Sequence, residues 1–500
     1  MMNSLASKVI VITGAVVSTT VMCAQPGTSP EFVRREGTHL TLAGRPFRFS
    51  GPNIEWLGLE GYGPHDPAGP RFASRFEIDD ALDTAVEMGA RVVRSQTMGD
   101  TVGCPRCIQP REGQFNEAAF ESSDYALAAA ARRGLKVIVT LVGDCATCSG
   151  GGIGQYAAWE HKSDLSEFFR DPALVAAFEK HVDAVLNHVN RVTGVPYKDD
   201  PTILAWENCN MCGLIATFLG GPKSIGELSN WVETVGRHIK QVDSRHLYLD
   251  TSGIFRSYPN VLDNPSPDMT TFEYYPHWDA LFGGGRVKTA ASSFTQDAAN
   301  VTAHGKVYIV NEFGWDRTDW KTTDDFQQVL DTLARDANVS GDLFWALAAH
   351  LDNFGFQPIP ADAKLPFAET GESGEWWALY YPGVKTLVNT AEDMAQRAQQ
   401  LRTHGFAMAG KPVPKHGTPP APVVTTVVWS GLVAWRGSAG AVRYSIERMA
   451  PGAKEWTTVC DRCATDSDDP WTDPHAMFGA RYRVIAWNAD GVAGPPSEPK

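Results

Sequence analysis

The chain is short of positive charge. It has 44 Lys and Arg against 58 Asp and Glu, a formal net charge of −14. A protein that grips a phosphate backbone needs a basic footprint, so nucleic acid is excluded as the expected partner. Membrane-length apolar runs are lacking too. The apolar run VIVITGAVVSTTVM has 14 residues, fewer than the ~20 a bilayer-spanning helix needs. No transmembrane segment is expected. Internal repeats are also absent.

What is present points to a globular chain for which export is expected. Hydrophobic content of 43% and charged content of 20% are ordinary for a folded protein. A length of 500 residues suits a large barrel with a small added module. The opening MMNSLASK, the apolar run and the small residue Ala24 read as a secretory signal over residues 1–24. Secretion, or residence in a periplasm or on a cell surface, is the expected location, and it implies an oxidising compartment. Fifteen Trp suit stacking on sugar rings, with core packing as the competing account.

From residue 30 to 410, short apolar strands alternate with amphipathic helices. The strand candidates are Phe47–Gly51, Arg91–Ser95, Lys136–Val142, Thr202–Trp206, Leu247–Thr251, Thr270–Tyr274, Lys306–Asn311 and Leu343–Leu347. In EIDDALDTAVEMG, the residues Ile78, Leu82, Ala85 and Val86 share one face and Gly89 ends the helix. In DPALVAAFEKHVDAVLNHVN, Asp171 caps, Pro172 takes the first position, and Leu174, Phe178, Val182 and Val185 line one face. Eight such strands, each followed by a helix or long loop, predict an α/β fold of the (β/α)8 TIM-barrel type, with function at the strand C-terminal ends. Residues 411–422 form a proline-rich linker. Residues 423–500 read as short alternating strands of a small all-β, immunoglobulin-like sandwich. The closing YRVIAWNADGVAGPPSE resembles the last strands of fibronectin type III domains.

Several stretches of the barrel, taken in order, resemble glycoside hydrolase family 5, and its endo-β-1,4-mannanases in particular. They are HLTLAGRPFRFSGPN, RVVRS, GGGIGQYAAW, FFRDPALVAAFEKHVDAVLNHVNRVTGVPYKDDPTILAWE, FEYYPHW, VYIVNEFGW and GDLFWAL. Each is a weak signal; their order and spacing are together specific. The resemblance implies a retaining glycosidase acting on a β-linked polysaccharide or oligosaccharide. Such an enzyme uses two carboxyl groups, one attacking the anomeric carbon and one moving the proton. By resemblance Glu312 is the nucleophile, and Arg94 holds it ionised. Tyr275 lies beside it, and Trp345 floors the subsite of the cleaved sugar. Asn53, Asn210 and Glu207 fall on substrate-side positions. No metal and no other cofactor is called for by this mechanism.

The stretch AWENCNMCG departs from the family pattern W-E-x-x-N-E-P. Trp206, Glu207 and Asn210 match it, but Met211 stands where the acid/base glutamate is expected, and methionine transfers no proton. At the end of the sixth strand the family histidine is replaced by Glu273, so Glu273 is the candidate for a displaced acid/base. A hydrogen-bonding role for Glu273 competes with it. Glu207 is a weaker candidate, because the family carries a glutamate there too, directed into the barrel. Ser95-Gln96 and Gly143-Asp144-Cys145 replace common sugar platforms, which leaves the sugar open. The rival readings are a former hydrolase that now only binds glycan, and a glycosidase of altered specificity. The sequence does not give an oligomeric state.

Apart from Cys23, the cysteines form four CxxC pairs: Cys104/Cys107, Cys145/Cys148, Cys209/Cys212 and Cys460/Cys463. The first three follow the second, third and fourth strands and share the catalytic face. Local disulfides that stiffen loops are the expectation for an exported chain. A four-cysteine zinc site built from two neighbouring pairs is the alternative. A redox site lacks its thioredoxin-like context.

Overall fold

The computed structural model describes residues 31–60, 70–143, 151–213, 215–216, 224–254, 259–276, 290–357, 378–386, 388–467 and 469–500. The leader expected over residues 1–24, the Cys145/Cys148 pair and much of the loop following the eighth strand lie outside them.

Eight parallel strands form one sheet. They are β1 (Phe49–Pro52), β2 (Val92–Ser95), β3 (Lys136–Thr140), β4 (Ile203–Glu207), β5 (Leu247–Ile254), β6 (Met269–Tyr274), β7 (Val307–Phe313) and β8 (Val339–Phe344). Their spatial order is β1-β8-β7-β6-β5-β4-β3-β2. The Asn53–Arg94 bridge and the 2.8 Å bond from Ile54 N to Arg94 O draw β1 towards β2, so the sheet nearly closes. Helices return the chain between strands, among them Arg75–Glu87, Glu121–Arg132, Pro172–Asn187, Ser224–Val242 and Thr323–Arg335. Helix Ala391–Met408 comes last. The architecture is a (β/α)8 barrel.

Strand alternation sets what faces inward. Phe49, Val92, Ile138, Leu204, Leu249, Met269, Val307, Ile309 and Leu343 share one core. Val33, Leu40 and Phe47 from the N-terminal ribbon pack into it. Val93 and Trp206 instead join the outer core against the helices. Side chains two residues beyond an inward apolar residue return to the barrel interior. That period carries Arg94 inward above Val92, and Asn311 above Ile309.

Helix Arg75–Glu87 forms because Ser74 and Glu77 make a reciprocal capping box while Ile78, Leu82 and Ala85 bury fully. Val86 differs from its expected place: it is 40% exposed. At 100° per residue it lies about 80° round from Ile78, at the margin of the apolar face. Strand β8 also starts earlier than expected, at Val339. Its Ser340-Gly341-Asp342 reads as a turn. Yet Gly341 leaves room for the Phe49 ring, and buried Asp342 accepts from His404 at 2.8 Å.

The C-terminal strands are β9 (Val423–Val427), β10 (Leu432–Arg436), β11 (Arg443–Met449), β12 (Thr457–Ala464), β13 (Trp471–Thr472) and β14 (Arg481–Trp487). They form two antiparallel sheets, β9-β10-β13 and β12-β11-β14, around Val433, Trp435, Tyr444, Ile446, Tyr482 and Val484. This unit meets the barrel at the loop after β8. Buried His350 lies between barrel Asp80 at 2.9 Å and Asp466 at 2.9 Å, and Arg436 donates to Asp352 O at 3.0 Å.

Candidate active site

The C-terminal ends of the barrel strands converge on Arg94. Its Nε and Nη2 donate to Glu207 Oε2 and Oε1, each at 2.6 Å. Its Nη1 donates to Glu312 Oε1 at 2.6 Å and to Asn53 Oδ1 at 2.9 Å. Nη2 also reaches Asn210 Oδ1 at 2.6 Å. One fully buried guanidinium thereby ties together residues from the ends of β1, β2, β4 and β7. A planar fork of five donors is the side chain suited to this. Burial alone would push its pKa down; the charges of Glu207, Glu312 and Glu273 overcome that and push it up.

Glu207 takes Thr140 Oγ1 at 2.9 Å and Thr251 Oγ1 at 2.9 Å besides the Arg94 fork. Both of its oxygens are occupied in the barrel interior, so it anchors the arginine. Thr140 and Thr251 were not singled out in the sequence; their only signal is a hydroxyl at an inward position near a strand end. Asn53 is locked by Nδ2 bonds to Asn311 O at 3.1 Å and Phe344 O at 3.3 Å.

Glu312 is 3% exposed. The β6–β7 ladder shifts register between Tyr308 and Glu312, and the β7–β8 ladder between Val310 and Phe313. Such irregularities re-aim side chains beside active sites. Tyr275 donates to Glu312 Oε2 at 2.6 Å, so each carboxylate oxygen holds one donor. Burial pushes the Glu312 carboxyl up from its ordinary value, while Arg94 and the Tyr275 hydroxyl pull it back towards ionisation. Tyr275 itself is pushed up by burial and by the charges of Glu312 and Glu273.

Glu273 is 1% exposed and pairs in register with Glu312 on the neighbouring strand. Trp345, half-buried, follows β8, with its N–H bonded to Phe313 O at 3.0 Å. Met211 follows Asn210 in the left-handed region, φ 53°, which L side chains rarely adopt. It is bracketed by the Cys209–Cys212 disulfide. Cys104–Cys107 and Cys460–Cys463 are bridged as well.

A further acid at the rim, Glu55, escaped the sequence reading. It opens the short 3-10 turn Glu55–Leu57, two residues past Asn53. An acid placed just after a barrel strand was the available signal. Burial, and then the charge of Glu312, lift its pKa to about 7 against the pull of Arg94.

Residues 30–351 match the family model described as GH family 5 beta-mannosidase-like. The chain belongs to this family. Among its relatives is a putative mannan endo-1,4-β-mannosidase 4 of Arabidopsis thaliana. It is 31% identical over 245 residues, which cover 48% of this chain and 56% of the relative. A mannan endo-1,4-β-mannosidase 7 of the same plant is 29% identical over 377 residues, covering 66% of this chain and 82% of that protein. The chain spans about half the length of several curated relatives it matches. The crystal structure of an endo-1,4-β-mannanase from Rhizomucor miehei aligns with a TM-score of 0.56 at 22% identity. It covers 76% of this chain and 100% of that one, a likeness of fold. Among the described residues, no helix is long and apolar enough to cross a membrane.

Proposed function

We propose that the protein is an exported, retaining glycoside hydrolase that cleaves β-1,4-linked mannan or a related β-linked glycan. The observation that carries this reading is Glu312, its two oxygens held by Arg94 and Tyr275 at 2.6 Å each on the rim of the barrel. A carboxylate fixed in this way has one face committed to its partners and is aimed by them. That is what attack on an anomeric carbon requires. In the first step Glu312 bonds to that carbon as the bond to the leaving oxygen breaks. In the second, water attacks the same carbon and releases the carboxylate.

Both steps need a proton carrier. Met211 stands at the position where the family resemblance places that acid, so the proton moves through another carboxyl. Glu273, beside the proposed nucleophile, is the candidate that the sequence offers, and Glu55 is a second carboxyl near it. Asn210, fixed by Arg94, is proposed to hold the sugar 2-hydroxyl, and Trp345 to stack beneath the ring. The C-terminal sandwich is proposed as a fibronectin type III-like spacer or docking module, joined by residues 411–422.

The test is trapping. A 2-deoxy-2-fluoro-mannosyl donor with a dinitrophenolate leaving group should inactivate the protein stoichiometrically and leave its label on the Glu312 peptide. Product of inverted anomeric configuration by NMR would contradict the retaining mechanism. The residue at 211 also favours a second reading, a glycan-binding protein with a disabled cleft; that protein would bind mannan and take no label.

A further inference from the structure

We propose, resting on the hydrolase reading above, that Glu55 is the acid/base of this site: it protonates the leaving oxygen and then deprotonates the attacking water. Three observations carry the assignment. First, Glu55 belongs to the same framework as the nucleophile. Its turn follows Asn53, which accepts from the arginine that holds Glu312. Second, its backbone is pinned. The Glu55 carbonyl accepts from Thr97 N at 3.0 Å, Thr97 Oγ1 at 2.6 Å and Ser95 Oγ at 2.9 Å, all from the end of β2 and the residues just after it. Third, the residue is half-buried, and its carboxyl receives no hydrogen bond from the described residues. A carboxylate serving as a structural anchor looks different: Glu207 is fully buried and takes four donors.

Glu273 is less suited to the role. It lies on the strand adjacent to Glu312 and in register with it, so the two stand side by side rather than facing each other. It is also almost completely buried. Glu55 reaches the rim from the other flank, two strands away through β8.

The surroundings of Glu55 fit proton transfer near neutrality. Glu312 and Arg94 act on it with opposite charges. Asp100 lies close enough to feel its charge and that of Glu207. It is 5% exposed, and its Oδ1 has no hydrogen-bond partner. Burial, and then the charge of Glu207, push the Asp100 carboxyl well up against the pull of Arg94. A carboxyl with a pKa of about 7 serves both as acid and as base at neutral pH.

The atoms balance. As Glu312 bonds to the anomeric carbon, the glycosidic C–O bond breaks and the Glu55 proton passes to the departing oxygen. The Glu55 carboxylate then takes a proton from water, whose oxygen bonds to the same carbon. The ester bond to Glu312 breaks, and both side chains return to their starting states.

The experiment compares the full chain with Glu55→Gln, Glu55→Ala, Glu273→Gln and Glu312→Gln on β-1,4-mannan and on 2,4-dinitrophenyl β-mannobioside. Matching circular dichroism and melting curves are required of every variant. Loss of the acid should cut mannan turnover by roughly 10²–10⁴-fold. The dinitrophenolate burst should survive, because that leaving group needs no proton. Azide should restore turnover of Glu55→Ala as the β-glycosyl azide. The alkaline limb of kcat/KM, where activity falls as Glu55 ionises near pH 7, should vanish in Glu55→Gln. Wild-type behaviour of Glu55→Gln, or this pattern appearing in Glu273→Gln instead, overturns the assignment while leaving the hydrolase reading intact. Equal losses on both substrates without azide rescue overturn it as well. Should the intact chain cleave neither substrate, the assignment falls together with the hydrolase reading.

Discussion

Arg94 Nη1 lies 2.6 Å from Glu312 Oε1, while the other edge of the same guanidinium grips Glu207. One buried cation thus serves two buried carboxyls, and the position of the proposed nucleophile depends on a residue the substrate need not touch. Arg94→Met leaves both acids without their counter-charge. The expected cost is about 3–5 kcal/mol of stability, measured by urea denaturation. An unchanged midpoint would mean that the acids are neutral without it.

Tyr275→Phe tests the electrostatics of Glu312 as the proposed nucleophile. Glu312 must be ionised to attack, and the Tyr275 hydroxyl favours that form. Without it the carboxyl keeps its proton to higher pH. The acid limb of kcat/KM should therefore move up by about 1–2 pH units, the equivalent of one hydrogen bond to a charged group. In the intact protein that limb should already lie above the ordinary carboxylate value, because burial raises Glu312.

Trp345→Ala separates sugar stacking from core packing. Stacking predicts a fall in kcat/KM of roughly 10–100-fold, equivalent to ~1.4–2.8 kcal/mol, with the melting temperature little changed. A large loss of melting temperature with KM intact would assign the ring to the core.

His350 ties the barrel to the C-terminal sandwich. Burial alone would lower its pKa, but Asp80 and Asp466 raise it to about 10, above the 6.5 of the unfolded chain. The contribution is therefore complete below pH 6.5 and is lost as pH rises through about 10. His350→Gln should cost a few kcal/mol at pH 6, and less at pH 10.5, in urea denaturation. A difference independent of pH would exclude a charged histidine at the seam.

The barrel was legible because strands covered by helices read as nearly continuous apolar runs, as in KVIVT and VYIV. The first half of β8 was not, since Ser340-Gly341-Asp342 owes its strand conformation to Phe49 and His404, both remote in sequence. Glu312, Arg94 and Tyr275 could be proposed from VYIVNEFGW, RVVRS and FEYYPHW through their resemblance to the family. Glu55 carries no such motif: its one local signal is a place just past β1, and its proposed role rests on Asn53, Thr97 and Glu312 meeting in three dimensions. The link from His350 to Asp466 is equally non-local, a contact between two units whose sequences carry no mark of each other.

The most direct test is reducing-end release from β-1,4-mannan, with cellulose and xylan alongside, by the intact protein and by Glu312→Gln. Under the proposed function the intact chain releases reducing ends from mannan, and the variant loses this on the order of 10⁴-fold or more. Mannan that is bound but never cleaved, with the two proteins indistinguishable, would contradict it and make Met211 the mark of a hydrolase turned binding protein.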